Sequence, residues 1–406
     1  MNDAQKSRTV WLVGGLHALT HVYQVALIPL YLLIQADFHL KSKGEATLLV
    51  TLMNLAYYVP SYPMGMLADK LSRKKLLAIG LLINGAAFVG LAMAPNYAVA
   101  IVAVMLAGFG GSFFHPAATA LIAGLFPLNP GRALGLTGIG ASVGFCFAPL
   151  YSGWRAQAGS WRTPVFELGL MGVAVAVVFW ILGHEEQARA GSAREMPEDR
   201  LFPTPVIWFL FIVAAFAFCA RDFTGNGVST MGSLYLQQAR GYNTWQTGMA
   251  LSCIFAASAI SNPLFGHLSD RGRMGWAGAV LTVAAILVAA FPHIPPAGII
   301  PAFLVYGFFF MASYPIVEAA LMESVPAGVR GRVFGLWITI GGLVGNLAHW
   351  LSGSWVESIG ARSTTAASYY GVYGWLAGLI VISLLGLPCL KAIRKREHLE
   401  PGPVKP

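Results

Sequence analysis

Four polar side chains share one face of the first apolar run of the sequence. His17, Thr20, His21 and Gln24 follow the spacing i, i+3, i+4 and i+7, which places them together on a helix. Histidine exchanges protons near neutral pH, so we expect this face to handle substrate or protons, with packing hydrogen bonds as the alternative. The His17/His21 spacing also suits a metal. Two histidines leave at least one ligand missing, however, so we assign no metal here.

An arginine and an aspartate adjoin in the middle of a later apolar run. Asp222 continues into a polar stripe with Asn226, Ser229 and Ser233, so we expect it to face a cavity. Neighbouring helical residues point about 100° apart. We therefore expect that Arg221 does not pair with Asp222 and instead takes a partner from another helix or from the substrate. A purely structural ion pair is the alternative.

The elements that must hold these residues are membrane helices. Hydrophobic residues make up 56% of the 406 residues and charged residues 11%, with a mean hydropathy of +0.65. Apolar runs long enough to cross a bilayer recur along the chain, which excludes a soluble protein. None of the four cysteines has metal-finger spacing. We predict an all-α membrane protein of about twelve spans, at 9–34, 46–69, 74–94, 97–126, 131–155, 161–183, 205–236, 243–269, 275–292, 297–323, 330–357 and 366–390.

The distribution of basic residues predicts the orientation. With the N-terminus inside, 19 of the 26 Lys and Arg residues fall on the inner side and 6 on the outer side. The positive-inside rule then places both termini in the cytoplasm. Because topology accounts for the net charge of +9, we predict no nucleic-acid partner.

The chain also repeats itself at a spacing near 200 residues. The stretch at 65–70 recurs at 266–271, and "GRALGL" at 131–136 recurs as "GRVFGL" at 331–336. Two matching halves of six helices explain this repeat. We predict an N-terminal bundle at 1–184, a cytoplasmic linker at 185–203 and a C-terminal bundle at 204–406.

The doubled motif G-x-L-x-D-R/K, after the second and eighth spans, resembles that of the major facilitator superfamily. The resemblance covers essentially the whole chain and implies the two-bundle fold of that family. In the family, this motif locks the inner helix ends, although here its basic residues could also serve topology alone. The cytoplasmic gate that the resemblance implies includes Asp69, Lys70, Arg73, Asp270 and Arg271. We add Arg332 and Glu323 to this gate, because both lie near the cytoplasmic ends of their spans.

Two further motifs indicate a subgroup within this superfamily. "SFFHP" at 112–116 and His17 with Gln24 resemble the fosmidomycin-resistance group of bacterial exporters, although Thr20-His21 and Ala117 depart from its acidic pattern. The small residues of the fifth span resemble an antiporter motif in altered form, and ordinary close helix packing explains them equally well.

Polar residues at membrane depth converge from several spans. Because it is energetically costly to place such residues in a membrane, we expect them to serve a function. We predict a secondary transporter of the bacterial inner membrane. It exports a small organic solute, which can be an anion, in exchange for protons by alternating access. An importer or uniporter of an organic acid or sugar, or a lipid flippase, is the alternative. We expect a monomer in the lipid bilayer, no enzyme activity, no catalytic residue and no cofactor. The predicted substrate-binding residues are His17, His21, Gln24, Asn54, Tyr58, His115, Arg221, Asn226, Tyr314, Asn346 and His349, and the predicted proton-coupling residues are Asp222 and Glu318.

Overall fold

The computed structural model describes residues 3–126, 130–183, 201–202, 204–325 and 329–399. Every regular element in these ranges is helical, so the predicted all-α membrane fold is confirmed. The first half contains α1 (Asp3–Val25), α2 (Tyr31–Asp37), α3 (Lys43–Tyr58), α4 (Ser61–Lys70), α5 (Arg73–Ala92), α6 (Tyr97–Gly111), α7 (Phe114–Leu125), α8 (Pro130–Arg155) and α9 (Arg162–Leu182). The second half contains α10 (Pro205–Ala239), α11 (Thr244–Ala256), α12 (Ser258–Leu268), α13 (Arg273–Ala290), α14 (Pro296–Glu323), α15 (Arg330–Ile359), α16 (Tyr370–Ser383) and α17 (Gly386–Leu399).

Eleven segments of the described chain are long and apolar enough to cross a membrane, one fewer than predicted. The exception is the predicted span 46–69, which divides into α3 and α4 on either side of Val59 and Pro60. Proline lacks an N–H donor, and its ring clashes with the carbonyl four residues earlier. The result is two helices of 16 and 10 residues in place of one long one.

The predicted boundaries between the halves remain a prediction, since residues 184–200 and 203 lie outside the described ranges. The extensive contacts between the halves are made by two helix pairs, α3 with α15 and α8 with α11. We call the end of the molecule that holds Lys70, Arg273 and Glu323 the terminal end, because α1 begins and α17 ends there. The end that holds Lys43 and Glu357 is the opposite end.

Small residues bring α8 close to its neighbours. A side chain at Gly140 or Gly144 would collide with the backbone carbonyls of Gly14 or Ala18 in α1. Gly153 lies equally close to Thr244 in α11. The close packing predicted for the fifth span is therefore present. It places the backbone of α8 next to the histidines of α1.

Candidate functional site

Three histidines from two helices form one group, which we call the histidine cluster: His17, His21 and His115. Their ring centroids lie 4.8, 5.2 and 5.7 Å apart, and each ring can offer one nitrogen so that all three nitrogens lie within 4.8 Å. His21 is buried, His17 is partly buried and His115 is exposed. The fold thus supplies the third metal-type ligand that the first span alone lacks, and this cluster is the group of the described chain that could hold a metal ion.

Hydrogen bonds fix the orientation of two of the rings. Nδ1 of His17 lies 2.9 Å from the carbonyl oxygen of Thr137 in α8. Nδ1 of His21 lies 2.6 Å from Oε1 of Gln24. A carbonyl oxygen only accepts, so each Nδ1 carries the proton and each Nε2 keeps its lone pair. The Nε2 atom of His17 is buried and has no hydrogen-bond partner in the described chain.

A break between two helices positions the third histidine. The fourth span bends between α6 and α7, where Pro116 withholds a backbone hydrogen bond from the turn before it. His115 stands in the first turn after this break, edge-on to His17. The neighbouring Phe114 stacks on His17 with the ring centroids 4.7 Å apart. Phe114 and Thr137 contribute to the site without having been predicted from the sequence. A contact through a backbone carbonyl oxygen cannot be predicted from the type of the residue that provides it.

The second group, which we call the arginine cluster, contains Arg221, Asp222, Tyr314 and Glu318. The expectation that Arg221 and Asp222 would not pair is wrong, because Nη2 of Arg221 lies 2.8 Å from Oδ1 of Asp222. The arginine side chain is long enough to fold back around the helix, although the two Cα–Cβ bonds diverge. The side chain of Arg221 is 2% exposed and that of Asp222 is 19% exposed.

Arg221 also has the expected partners on another helix. Its guanidinium lies 4.0 Å from the ring centroid of Tyr314 in α14, and Nη1 lies 3.5 Å from the carbonyl oxygen of Ser313. Glu318 follows one turn after Tyr314 and is partly exposed. No residue of the described chain forms a hydrogen bond or ion pair with Glu318. The cluster therefore combines one buried cation with two partly exposed carboxylates.

Two tyrosines of α3 connect the clusters. The Tyr57 ring faces His115 with the centroids 6.1 Å apart, and Tyr58 adjoins Tyr57 at 5.1 Å. Tyr58 packs over Gly342 of α15, and the next glycine along, Gly341, faces the carboxylate of Asp222. Tyr57, which the sequence analysis does not single out, thus links the histidine cluster to the residues around the arginine cluster.

The remaining predicted binding residues divide into two kinds. Asn226 faces Gly345 beside Asp222 and so borders the arginine cluster. Asn54 and Asn346 are buried and donate to carbonyl oxygens of their own helices, at 3.0 and 2.7 Å. His349 is buried against the hydroxyl of Thr230 at 2.6 Å. Their roles in binding remain predictions.

A group of ion pairs stands at the terminal end. Glu323 pairs with Arg273 at 2.6 Å and with Arg394 at 3.1 Å, and Arg273 also reaches Asp270 at 3.0 Å. These contacts join α13, α14 and α17 of the second half. Arg73 lies 3.3 Å from the carbonyl oxygen of Ala120, and Arg332 is partly buried. Lys70 and Arg271 are exposed, and the side chain of Asp69 lies outside the described part. A lock between the two halves remains a prediction.

At the opposite end, hydrogen bonds join the halves directly. Nζ of Lys43 pairs with Glu357 at 3.0 Å. Deeper along the same helix pair, the hydroxyl of Thr51 donates to the carbonyl oxygen of Asn346 at 3.0 Å and accepts from the backbone N–H of Trp350 at 3.0 Å. On the α8–α11 side, Thr244 donates to the carbonyl oxygen of Gly153 and Ser252 to that of Cys146. These hydrogen bonds between the halves lie between the middle of the membrane and this end.

Comparison with known proteins gives a consistent set of relatives. Residues 10–349 match the model of the Major Facilitator Superfamily. The quinolone resistance protein NorA of Staphylococcus aureus is 25% identical over 229 residues, which is 56% of this chain and 58% of that protein. This chain therefore spans little more than half of the quinolone resistance proteins that it matches. The enterobactin exporter EntS of Salmonella paratyphi A is 24% identical over 405 residues, covering 94% of this chain and 92% of EntS.

Solved structures show the same fold. A bacterial homologue of the human lysosomal transporter Spinster, solved in an inward-facing and unoccupied conformation, has a TM-score of 0.79 and 17% identity, covering 100% of both chains. The nucleoside transporter NupG has a TM-score of 0.74 and 15% identity, covering 94% of this chain and 99% of NupG. Identities this low establish a common fold and nothing about substrate.

Proposed function

This chain belongs to the Major Facilitator Superfamily of transporters, and from that membership we propose that it exports a small organic solute in exchange for protons. The solute would bind between the two halves, which would open to each side of the membrane in turn. The proposal places the chain as a monomer in a bacterial inner membrane, with both termini in the cytoplasm. EntS, a relative named as an exporter, supports the outward direction, and an outward direction also fits a relative named for quinolone resistance, NorA.

The observation that carries the proposal is the arginine cluster. A buried guanidinium at membrane depth is costly, and here Asp222 and the ring of Tyr314 compensate it. The carboxylate of Asp222 is partly exposed, so it can bind either a proton or a donor group of a solute. The two compete for the same oxygen atoms. Protonation from one side would therefore release the solute, which is the requirement for exchange.

A second candidate follows from the same ion pair. If Asp222 takes up a proton, the charge of Arg221 is no longer balanced by its neighbour and becomes free to bind an anion. An anionic solute would then travel together with the proton, as in an importer of an organic acid. The direction of proton movement thus distinguishes the two candidates.

Everted membrane vesicles containing a pH-sensitive dye test the proposal. After the vesicle interior has been acidified, adding an exchanged solute should make it less acidic, because protons leave as solute enters. Vesicles that carry the Asp222→Asn variant should give no response to the same solutes. Cotransport would reverse the proton movement and support the second candidate. The solutes to be tested are a panel of quinolones, catecholates, nucleosides and organic acids. If wild-type vesicles take up one of these solutes without any movement of protons, proton coupling is contradicted.

A further inference from the structure

We propose that the histidine cluster binds one divalent transition-metal ion of the zinc type through three imidazole nitrogens. The inference concerns the ligand of one site and does not depend on the direction or coupling of transport. It goes beyond the residue spacing of the first span, because the decisive third ligand comes from a different helix.

The ligand geometry fits such an ion. Zinc with imidazole ligands at about 2.0–2.1 Å in a tetrahedral site sets their nitrogens roughly 3.3 Å apart. The three histidine nitrogens already lie within 4.8 Å of one another. A contraction of roughly 1.5 Å would complete the ligand set. Three protein nitrogens leave a fourth position of the tetrahedron open.

The hydrogen bonds of the cluster prepare it for a cation. Metal-binding histidines usually donate their second ring N–H to a carbonyl or carboxylate oxygen, which fixes the tautomer and aims the lone pair. His17 does this to Thr137 and His21 does it to Gln24. The lone pairs of both Nε2 atoms are consequently available, and that of His17 is buried without a partner in the described chain. A buried acceptor without a partner is destabilising, and a bound metal would remove this cost.

The chemistry of the donors selects the class of ion. Neutral imidazoles suit zinc, copper, nickel and cobalt, whereas magnesium and calcium require oxygen ligands. No carboxylate of the described residues belongs to the cluster, so the bound ion keeps its positive charge. His115 is the exposed member of the cluster, so we expect the fourth position to be open on the side of His115. Water or an anionic group of a solute would occupy it.

Equilibrium dialysis against Zn²⁺ tests the proposal on the full chain. The protein is purified in detergent through an affinity tag free of histidine, stripped with a chelator, dialysed and analysed for metal by mass spectrometry. We expect about one zinc ion per chain, unaffected by millimolar Mg²⁺. Co²⁺ in the same site should give the intense visible absorption of tetrahedral cobalt.

Variants assign the ion to the cluster. His115→Ala should abolish the bound zinc and the cobalt spectrum, while His293→Gln, an exposed histidine near the opposite end, should change neither. Gln24→Leu should keep the stoichiometry and weaken the affinity about 10–100-fold, as loss of a histidine's supporting hydrogen bond does. Thermal unfolding of the metal-free proteins checks that each variant folds.

Wild-type protein that binds no zinc would overturn the proposal. Folded His115→Ala protein that binds zinc with wild-type affinity would overturn it as well. If His115→Ala fails to fold, Gln24→Leu decides: unchanged affinity counts against the site, and weakened affinity with an altered cobalt spectrum supports it.

Discussion

Arg221 and Asp222 are neighbours in sequence and form an ion pair of 2.8 Å at membrane depth, with the guanidinium lying over the ring of Tyr314. The pair is asymmetric, because the arginine is buried while the carboxylate keeps partial exposure. The buried member depends on its partner for compensation, whereas the exposed member can still exchange protons or solute.

Asp222→Asn should lower the free energy of unfolding by about 3 kcal/mol, the lower end of what breaking a buried ion pair costs, because the cation of Arg221 loses its counter-charge. Thermal unfolding in detergent measures the change. The double variant Arg221→Met/Asp222→Leu removes both charges and should unfold within about 1 kcal/mol of the wild type. Neither variant should transport. A double variant that transports normally would show that the pair is only structural.

Gly342→Ala should displace Tyr58 and reduce transport. A Cβ atom there would stand 2.5 Å from the Tyr58 ring, so we expect a loss of about 1–3 kcal/mol from overpacking. Gly335→Ala is the matched control, since it lies on the same helix with nothing within 4 Å. It should stabilise the helix by about 0.5–1 kcal/mol and leave transport unchanged. Equal behaviour of the two variants would argue against a role for Tyr58.

Glu318→Gln should uncouple transport from the pH gradient. Glu318 lies one turn from Tyr314, is partly exposed and forms no ion pair within the described ranges. Glutamine keeps its shape but cannot carry a proton. Exchange of labelled for unlabelled solute should therefore persist, while accumulation driven by a pH gradient should fall to the level without one. Glu45→Gln, at the opposite end, should accumulate solute like the wild type. Normal accumulation by Glu318→Gln would assign the proton to another residue.

Much of the fold was predictable because hydropathy is a local property of the sequence. The break in the predicted span 46–69 also has a local cause, Pro60, which the length of the apolar run does not reveal. The histidine cluster had no such local cause. His17 and His115 belong to different spans, and polarity predicts that both turn inward without predicting that they meet.

The arginine cluster shows why spacing alone misleads. The Cβ atoms of Arg221 and Asp222 do point in different directions, as helical geometry predicts. The arginine side chain is nevertheless long enough for its Nε to donate to the Asp222 carboxylate. Contacts through backbone atoms are harder still to foresee. The carbonyl of Thr137 meets His17 only because Gly140 and Gly144 let α8 approach α1.

A disulfide between Gly44→Cys and Ser354→Cys tests alternating access most directly. A Cβ atom at Gly44 would lie 3.3 Å from Cβ of Ser354 across the two halves, close to the roughly 3.5–4.5 Å that a disulfide requires. The double variant should transport after reduction and lose transport on oxidation, because the opposite end can no longer open, while each single variant should ignore the oxidant. Undiminished transport by the fully oxidised double variant would contradict the account.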